Sequence, residues 1–335
     1  MRLVYFPLGV LLFTACVSDG AVPSSPASDA GVAPSVDAAD ALPPSETDAS
    51  DATDAALPRC NPAAAFVAVD GLGALNTAAS ENPPFLTDDE RHIFFSRVEQ
   101  TDAGLVHRLY HADRADAGDA VAPAVLMTNV QVAGSRDHAL ALRPSSTPNP
   151  STYRALLSSQ RFGTPNIDYY WLDISPPFGG QAGAAQAVVG PLNTGGLEGG
   201  ASFSRDGNRL YHSRYVYPDG GASGNGDLYI VDIDLASETS NLRLVPGSVN
   251  TPEHEGDPVV SRDERTLLYS AVTGGRSRIY MSTRASVSDP FPRGEEVLPS
   301  SSQARAGWLS PDGCKFYFAR GQQDALDLFV ASRGN

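Results

Sequence analysis

Along most of this chain apolar and polar residues alternate in paired short runs. Lys315-Phe316-Tyr317-Phe318-Ala319 is followed, after a glycine-containing connection, by Asp327-Leu328-Phe329-Val330-Ala331, and the turn Ser310-Pro311-Asp312-Gly313 precedes the first run. Period-two alternation bounded by turn residues predicts two half-buried antiparallel strands. The pattern recurs upstream. Ser261-Arg262-Asp263 leads into Leu267-Leu268-Tyr269-Ser270, and Ser204-Arg205-Asp206-Gly207 into Leu210-Tyr211-His212-Ser213. Thr87-Asp88-Asp89 leads into Ile93-Phe94-Phe95-Ser96, and a weaker copy without the turn Asp sits at Thr152 to Ser159.

The second run of each pair recurs as Arg108-Leu109-Tyr110-His111, Asp168-Tyr169-Tyr170-Trp171, Asp227-Leu228-Tyr229-Ile230 and Arg278-Ile279-Tyr280-Met281. A lead-in loop is repeated too: Leu75-Asn76-Thr77 before Glu81, Leu192-Asn193-Thr194 before Glu198, and Val249-Asn250-Thr251 before Glu255. Repeats of strands at roughly 50 to 60 residues, with no helical period between them, predict an all-β, five-bladed β-propeller with four-stranded antiparallel blades. A sixth, degenerate blade is the alternative count. Ala65-Phe66 resembles Pro177-Phe178 and Pro290-Phe291, which follow the third strand in two blades, whereas nothing comparable follows the last copy. The ring is therefore expected to close with the N-terminal strand, which removes an open sheet edge.

Ahead of the repeats, Met1-Arg2 and the apolar run Leu3 to Phe13 have signal-peptide proportions and are too short for a permanent membrane helix. The segment ends Phe13-Thr14-Ala15-Cys16, which resembles the lipobox of bacterial lipoproteins with Phe13 where Leu is usual. That resemblance implies acylation of Cys16, and Val17 after it resembles lipoproteins sorted to the outer membrane. An ordinary cleaved signal is the alternative. Residues 17–58, rich in Ala, Ser, Pro and Asp, are expected to be a disordered, extended tether. Residues 59–335 form the propeller domain.

A net charge of −15 without a basic stripe speaks against nucleic acid and for a soluble monomer. Beyond Cys16 the chain has Cys60 and Cys314, an even pair in an exported protein. Ring closure brings their segments together, so a disulfide is expected there.

Candidate chemistry is sparse. Asp89, Asp206, Asp263 and Asp312 repeat at one turn, as residues bonding their own loop do. Glu81, Glu198 and Glu255, with His254 nearby, gather at the channel face, either as a ring for a cation or basic partner or as caps on their own loops. Arg97, Arg161, Arg214 and Arg320 end the second strand of four blades and are expected to pair with neighbouring blades. Asp219, Asn225 and Asp227 loosely suit calcium, but a long glycine-rich hairpin accounts for them equally. No catalytic motif, zinc spacing or phosphate loop is present, so neither catalytic residues nor a metal are assigned.

Ser310-Pro311-Asp312-Gly313 followed by an apolar strand, then Asp327-Leu328-Phe329, resembles the TolB-like (WD-like) β-propeller repeat over about residues 60–335. The second blade departs from it where Arg143 to Ser151 interrupts the turn. The resemblance implies the fold and leaves function open. The expected role is a lipid-anchored, non-catalytic binding or scaffold module of the cell envelope, outer-membrane-anchored and periplasmic or surface-facing. Its ligand would be an envelope protein or a glycan. The alternative is a carbohydrate-active or other hydrolytic enzyme, with Glu253, Asp257 and Asp168 as the acids outside the repeat.

Overall fold

The computed structural model describes residues 60–334, apart from 103, 133, 146–149, 162–165, 180–181, 216–224, 235 and 323–324. The signal segment, Cys16, the tether and Asp219 lie outside the described residues.

Among the described residues the alternating runs form twenty-one strands in five four-stranded blades around an axis, the inner strand of the first being split in two. After β1 (Phe66–Gly71), blade I runs through β2 (Ser80–Glu81), β3 (Phe85–Leu86), β4 (His92–Thr101), β5 (Gly104–Asp113) and β6 (Val125–Leu126). Blade II comprises β7 (Arg136–Leu142), β8 (Tyr153–Gln160), β9 (Asp168–Ile174) and β10 (Gln186–Ala187). Blade III comprises β11 (Leu197–Phe203), β12 (Arg209–Tyr215), β13 (Gly226–Ile233) and β14 (Thr239–Leu244). Blade IV comprises β15 (Glu255–Val260), β16 (Thr266–Thr273), β17 (Arg276–Thr283) and β18 (Glu295–Glu296). Blade V comprises β19 (Gln303–Leu309), β20 (Lys315–Gln322) and β21 (Ala325–Arg333), and β1 supplies its outer strand.

Closure is as expected: β1 pairs antiparallel with β21, Phe66 opposite Arg333 and Gly71 opposite Phe329. Cys60 and Cys314 are disulfide-bonded with Cα atoms 5.6 Å apart, both buried. The Phe comparison that suggested closure needs one correction. Phe178 and Phe291 lie in the connections before the short strands β10 and β18, not in those strands. What they share with Phe66 is position: each is buried in the cluster between its own blade and the preceding one. A large ring is selected at that seam whether or not the backbone there is paired.

Each of the five seams has its own apolar cluster. Phe94 and Leu109 of blade I meet Leu140, Leu157 and Tyr170 of blade II, for example, and Leu328 and Tyr317 of blade V meet Ile93 and Phe95 of blade I. Phe85 packs against three of the five clusters and so stands near the axis.

The recurring Asp is a turn residue. In all four copies the Ser or Thr two before it donates to Asp Oδ1 at 2.6 Å. Asp Oδ1 also accepts the backbone N–H two residues on, at 3.0–3.1 Å. The next residue adopts positive φ in every copy: Glu90 59°, Gly207 68°, Glu264 53°, Gly313 72°. Glycine is comfortable there; glutamate is not. The two glutamates have a compensating role at blade seams. Glu90 accepts from Tyr317 (2.9 Å) and Lys315 (2.9 Å) of blade V, while Arg114 donates to the Glu90 carbonyl. At the III–IV seam Glu264 accepts from Tyr211 (2.8 Å) and Arg209 (2.9 Å), and Arg284 donates to its carbonyl.

The described pairings of the four consensus arginines lie within their own blades. Arg97 pairs with Glu81 of its own blade (2.9 Å) and lies over Tyr110, 4.4 Å from the ring centroid. Arg161 bonds Asp137, and Arg214 and Arg320 lie over Tyr229 and Phe329, all within one blade. Their guanidinium groups stay in register with cross-strand partners, where the planar ion stacks on an aromatic face, instead of crossing an apolar seam.

Candidate functional site

Every inner strand is irregular at the same level. Register shifts interrupt β7 between Asp137 and Ala139, β11 between Glu198 and Ala201, β15 between Gly256 and Val259, and β19 between Ala306 and Trp308. In blade I the inner strand is broken outright between β2 and β3, across Asn82-Pro83-Pro84. A bulge re-aims the side chains around it. Here five of them face one axis and line a cavity of about 180 Å³. The cavity lies in the half of the channel next to the lead-in loops, with His107, Ile167 and Tyr215 at its rim.

One wall is a connected polar network. Arg305 holds Asp257 through two bonds, Nε to Oδ2 at 2.9 Å and Nη2 to Oδ1 at 2.7 Å, and Ser270 donates to the same Oδ2. This fork is the strong bidentate form of an arginine–carboxylate pair. Arg305 Nη1 donates to Asn82 Oδ1 at 3.0 Å. Because arginine only donates, the orientation of the Asn82 amide follows. Asn82 Nδ2 then donates to Ser96 Oγ (2.8 Å) and to His107 Nδ1 (3.3 Å). His107 Nδ1 is thereby an acceptor and its proton sits on Nε2.

The His107 ring lies against His138, centroids 4.2 Å apart. Burial, reinforced by Arg136, pushes His107 down to about 4, and burial with His107 beside it pushes His138 to about 3. Both are neutral at pH 7. Part of Arg305 faces the channel, its side chain 37% exposed although protein surrounds it. Gly200 is required beside it: a Cβ there would stand 2.9 Å from the Asp257 Cα of blade IV.

The sequence-predicted acids are distributed differently from a ring. Glu81, Glu198 and Glu255 are all buried, and each accepts from the Thr four residues before it, at 2.7, 2.5 and 2.6 Å. Each acid is thus fastened to its own lead-in loop. Of the three, Glu198 lines the cavity. Its register partner is Arg214, as Arg97 is that of Glu81, yet Glu198 Oε2 and Arg214 Nε are both buried without a hydrogen-bond partner. Burial pushes Glu198 up to about 7. His254 Nδ1 accepts from the Gly226 amide at 3.0 Å, and Asn225 donates to the Pro252 carbonyl. Of the other acids, Asp257 is in the cavity wall, while Asp168 and Glu253 are not among its lining residues. Among the described residues no group of three or more His, Cys, Asp or Glu is placed to hold a metal ion.

Sequence reading passed over Arg305, Asn82, His107 and His138. A signal for three of them exists in the repeat itself. The residue after the lead-in acid position is Asn82, His138, Gly199, Gly256 and Arg305 in the five blades. The copies agree where they build the scaffold and differ where they face the axis.

No family model matches this chain, and no curated protein matches it by sequence. Solved structures do. The catalytic domain of a GH62 α-L-arabinofuranosidase from Coprinopsis cinerea is 11% identical over 82% of this chain and 98% of that one, with a TM-score of 0.52. A GH43_1 enzyme from Xanthomonas citri, complexed with xylotriose, is 12% identical over 79% and 89%, TM-score 0.52. A TolB protein from Agrobacterium tumefaciens is 14% identical over 79% and 89%, TM-score 0.44. The likeness is one of fold. At these identities it says nothing of chemistry, and function has to be argued from the site.

Proposed function

We propose that this protein is a non-catalytic binding module of a bacterial cell envelope, exported and lipid-anchored through Cys16, with its ligand seated in the propeller channel. The supporting observation is the convergence of four inner-strand bulges and the break in the first inner strand on one cavity whose polar wall is already oriented by Arg305, Asn82 and Asp257. Pre-oriented groups in a concave site favour binding. Hydrolysis of a glycoside asks for two carboxyl groups free to act on one bond. Asp257 is committed to Arg305 and Ser270 instead. The disulfide fits an exported chain.

The test is retention of envelope components, glycan or protein, by the immobilised full chain and by an Ala139→Phe variant, which fills the channel without removing a hydrogen bond. Retention by the wild type and its loss in the variant are expected. Equal retention by both would remove the channel from the account.

A second reading, a carbohydrate-active enzyme, draws on Glu198, whose carboxyl near pH 7 suits proton transfer. Glycosidase activity against arabinan, xylan or aryl glycosides that disappears in Glu198→Gln would establish it in place of the first.

A further inference from the structure

We propose that the channel cavity takes a single non-ionic sugar unit, such as the exposed end of a glycan. This rests on the reading of the channel as the binding site, and deepens it.

Size is the first argument. At roughly 10–15 Å³ per water-sized occupant, the cavity of about 180 Å³ holds on the order of a dozen such groups. That is one hexose ring with its hydroxyls, and too little for a folded partner or a run of peptide.

Charge is the second. The one guanidinium in the wall is cancelled by the carboxylate that grips it, Asp257. Both histidines are neutral, and burial pushes the Glu198 carboxyl up to about 7. A carboxylate or phosphate entering the cavity would lose its hydration and meet no net positive charge, which is costly.

Donors and acceptors are the third. Asp257 and Asn82 use three of the five Arg305 N–H groups, leaving one on Nη1 and one on Nη2. His107 adds its Nε2–H, by the tautomer derived above. Beside them Asp257 Oδ1, which takes one hydrogen bond from Arg305, keeps a lone pair that can accept. Hydroxyl groups accept from the donors and donate to the carboxylate, whereas a ligand with only acceptors or only donors satisfies part of the wall. Phe85, Pro83 and Pro258 supply apolar surface for the C–H face of a sugar ring.

Saturation-transfer NMR on the full chain decides it. The probes are methyl glycosides of glucose, galactose, mannose, arabinose and N-acetylglucosamine, with glucuronate as the charged counterpart of glucose. At least one neutral glycoside is expected to bind, and glucuronate tenfold or more weaker. His107→Phe keeps the ring stack and leaves Asn82 its bonds to Arg305 and Ser96 while removing the Nε2 donor and the Nδ1 acceptor, and should weaken binding by about three- to tenfold, the worth of a neutral hydrogen bond. Ala139→Phe should abolish it. A charged sugar that binds as well as the neutral one, and is lost in Ala139→Phe, overturns the ligand class while keeping the channel as the site. Binding unaffected by Ala139→Phe overturns both. Failure of every neutral glycoside to bind at tens of millimolar overturns the sugar reading, and the retention experiment then judges the site independently.

Discussion

Reducing the Cys60–Cys314 bridge should cost this fold more than any single core substitution. The two cysteines are 254 residues apart, so the bond closes nearly the whole domain into one loop. In the chain-entropy treatment a loop of that length restrains the unfolded ensemble by about 5 kcal/mol. Set against a total stability on the order of 5–15 kcal/mol, that is a third or more. The bond also clamps the segment that leads into β1, whose pairing with β21 completes blade V. Urea unfolding of wild-type protein, oxidised and reduced, compares identical side chains. With a slope of about 3 kcal/mol per molar, the midpoint should fall by roughly 1.5 M on reduction. Cys60→Ala with Cys314→Ala should match the reduced protein. Midpoints that agree within experimental error would refute the reasoning, because the closing ribbon would then hold equally well without its covalent link.

Glu90→Gly relieves the positive φ but takes the buried carboxylate partner from Tyr317, Lys315 and Arg114 at the V–I seam, leaving two cations without their countercharge; a net loss of about 2–4 kcal/mol is expected in the same unfolding assay. Glu198 gives the pH dependence. Its folded pKa of about 7 lies above the ordinary 4.5, so below pH 4.5 both folded and unfolded states hold the proton, and stability is lost as pH rises from 4.5 through 7. The loss by pH 8 is bounded at about 3 kcal/mol, and Glu198→Gln should remove that slope; an unchanged slope in the variant would assign it elsewhere. Leu328→Ala, at a fully buried site in the V–I cluster, should cost about 2–5 kcal/mol, measured as a lower thermal midpoint with the fold retained by circular dichroism.

Much of the architecture is local information and was legible in the chain. Alternation with period two marks strands without reference to anything distant. The recurring Ser/Thr-x-Asp turn bonds itself within five residues, and Thr77, Thr194 and Thr251 fasten their acids four residues on. The count of blades, the closing ribbon and the Cys60–Cys314 bridge follow from adding such units round an axis. The site does not follow, for a physical reason. Which way a side chain points after a bulge, and what it meets there, depends on partners brought together only when the ring closes. Asn82 and Arg305, 223 residues apart, share a hydrogen bond that no local pattern announces. Glu81 and Glu198 sit in near-identical sequence, yet Glu81 Oε1 accepts from its arginine while Arg214 Nε, in the register position opposite Glu198, is buried without a hydrogen-bond partner. Repetition specified the frame because every copy repeats the same short-range physics; the channel became a site where the copies differ, and only closure set those differences face to face.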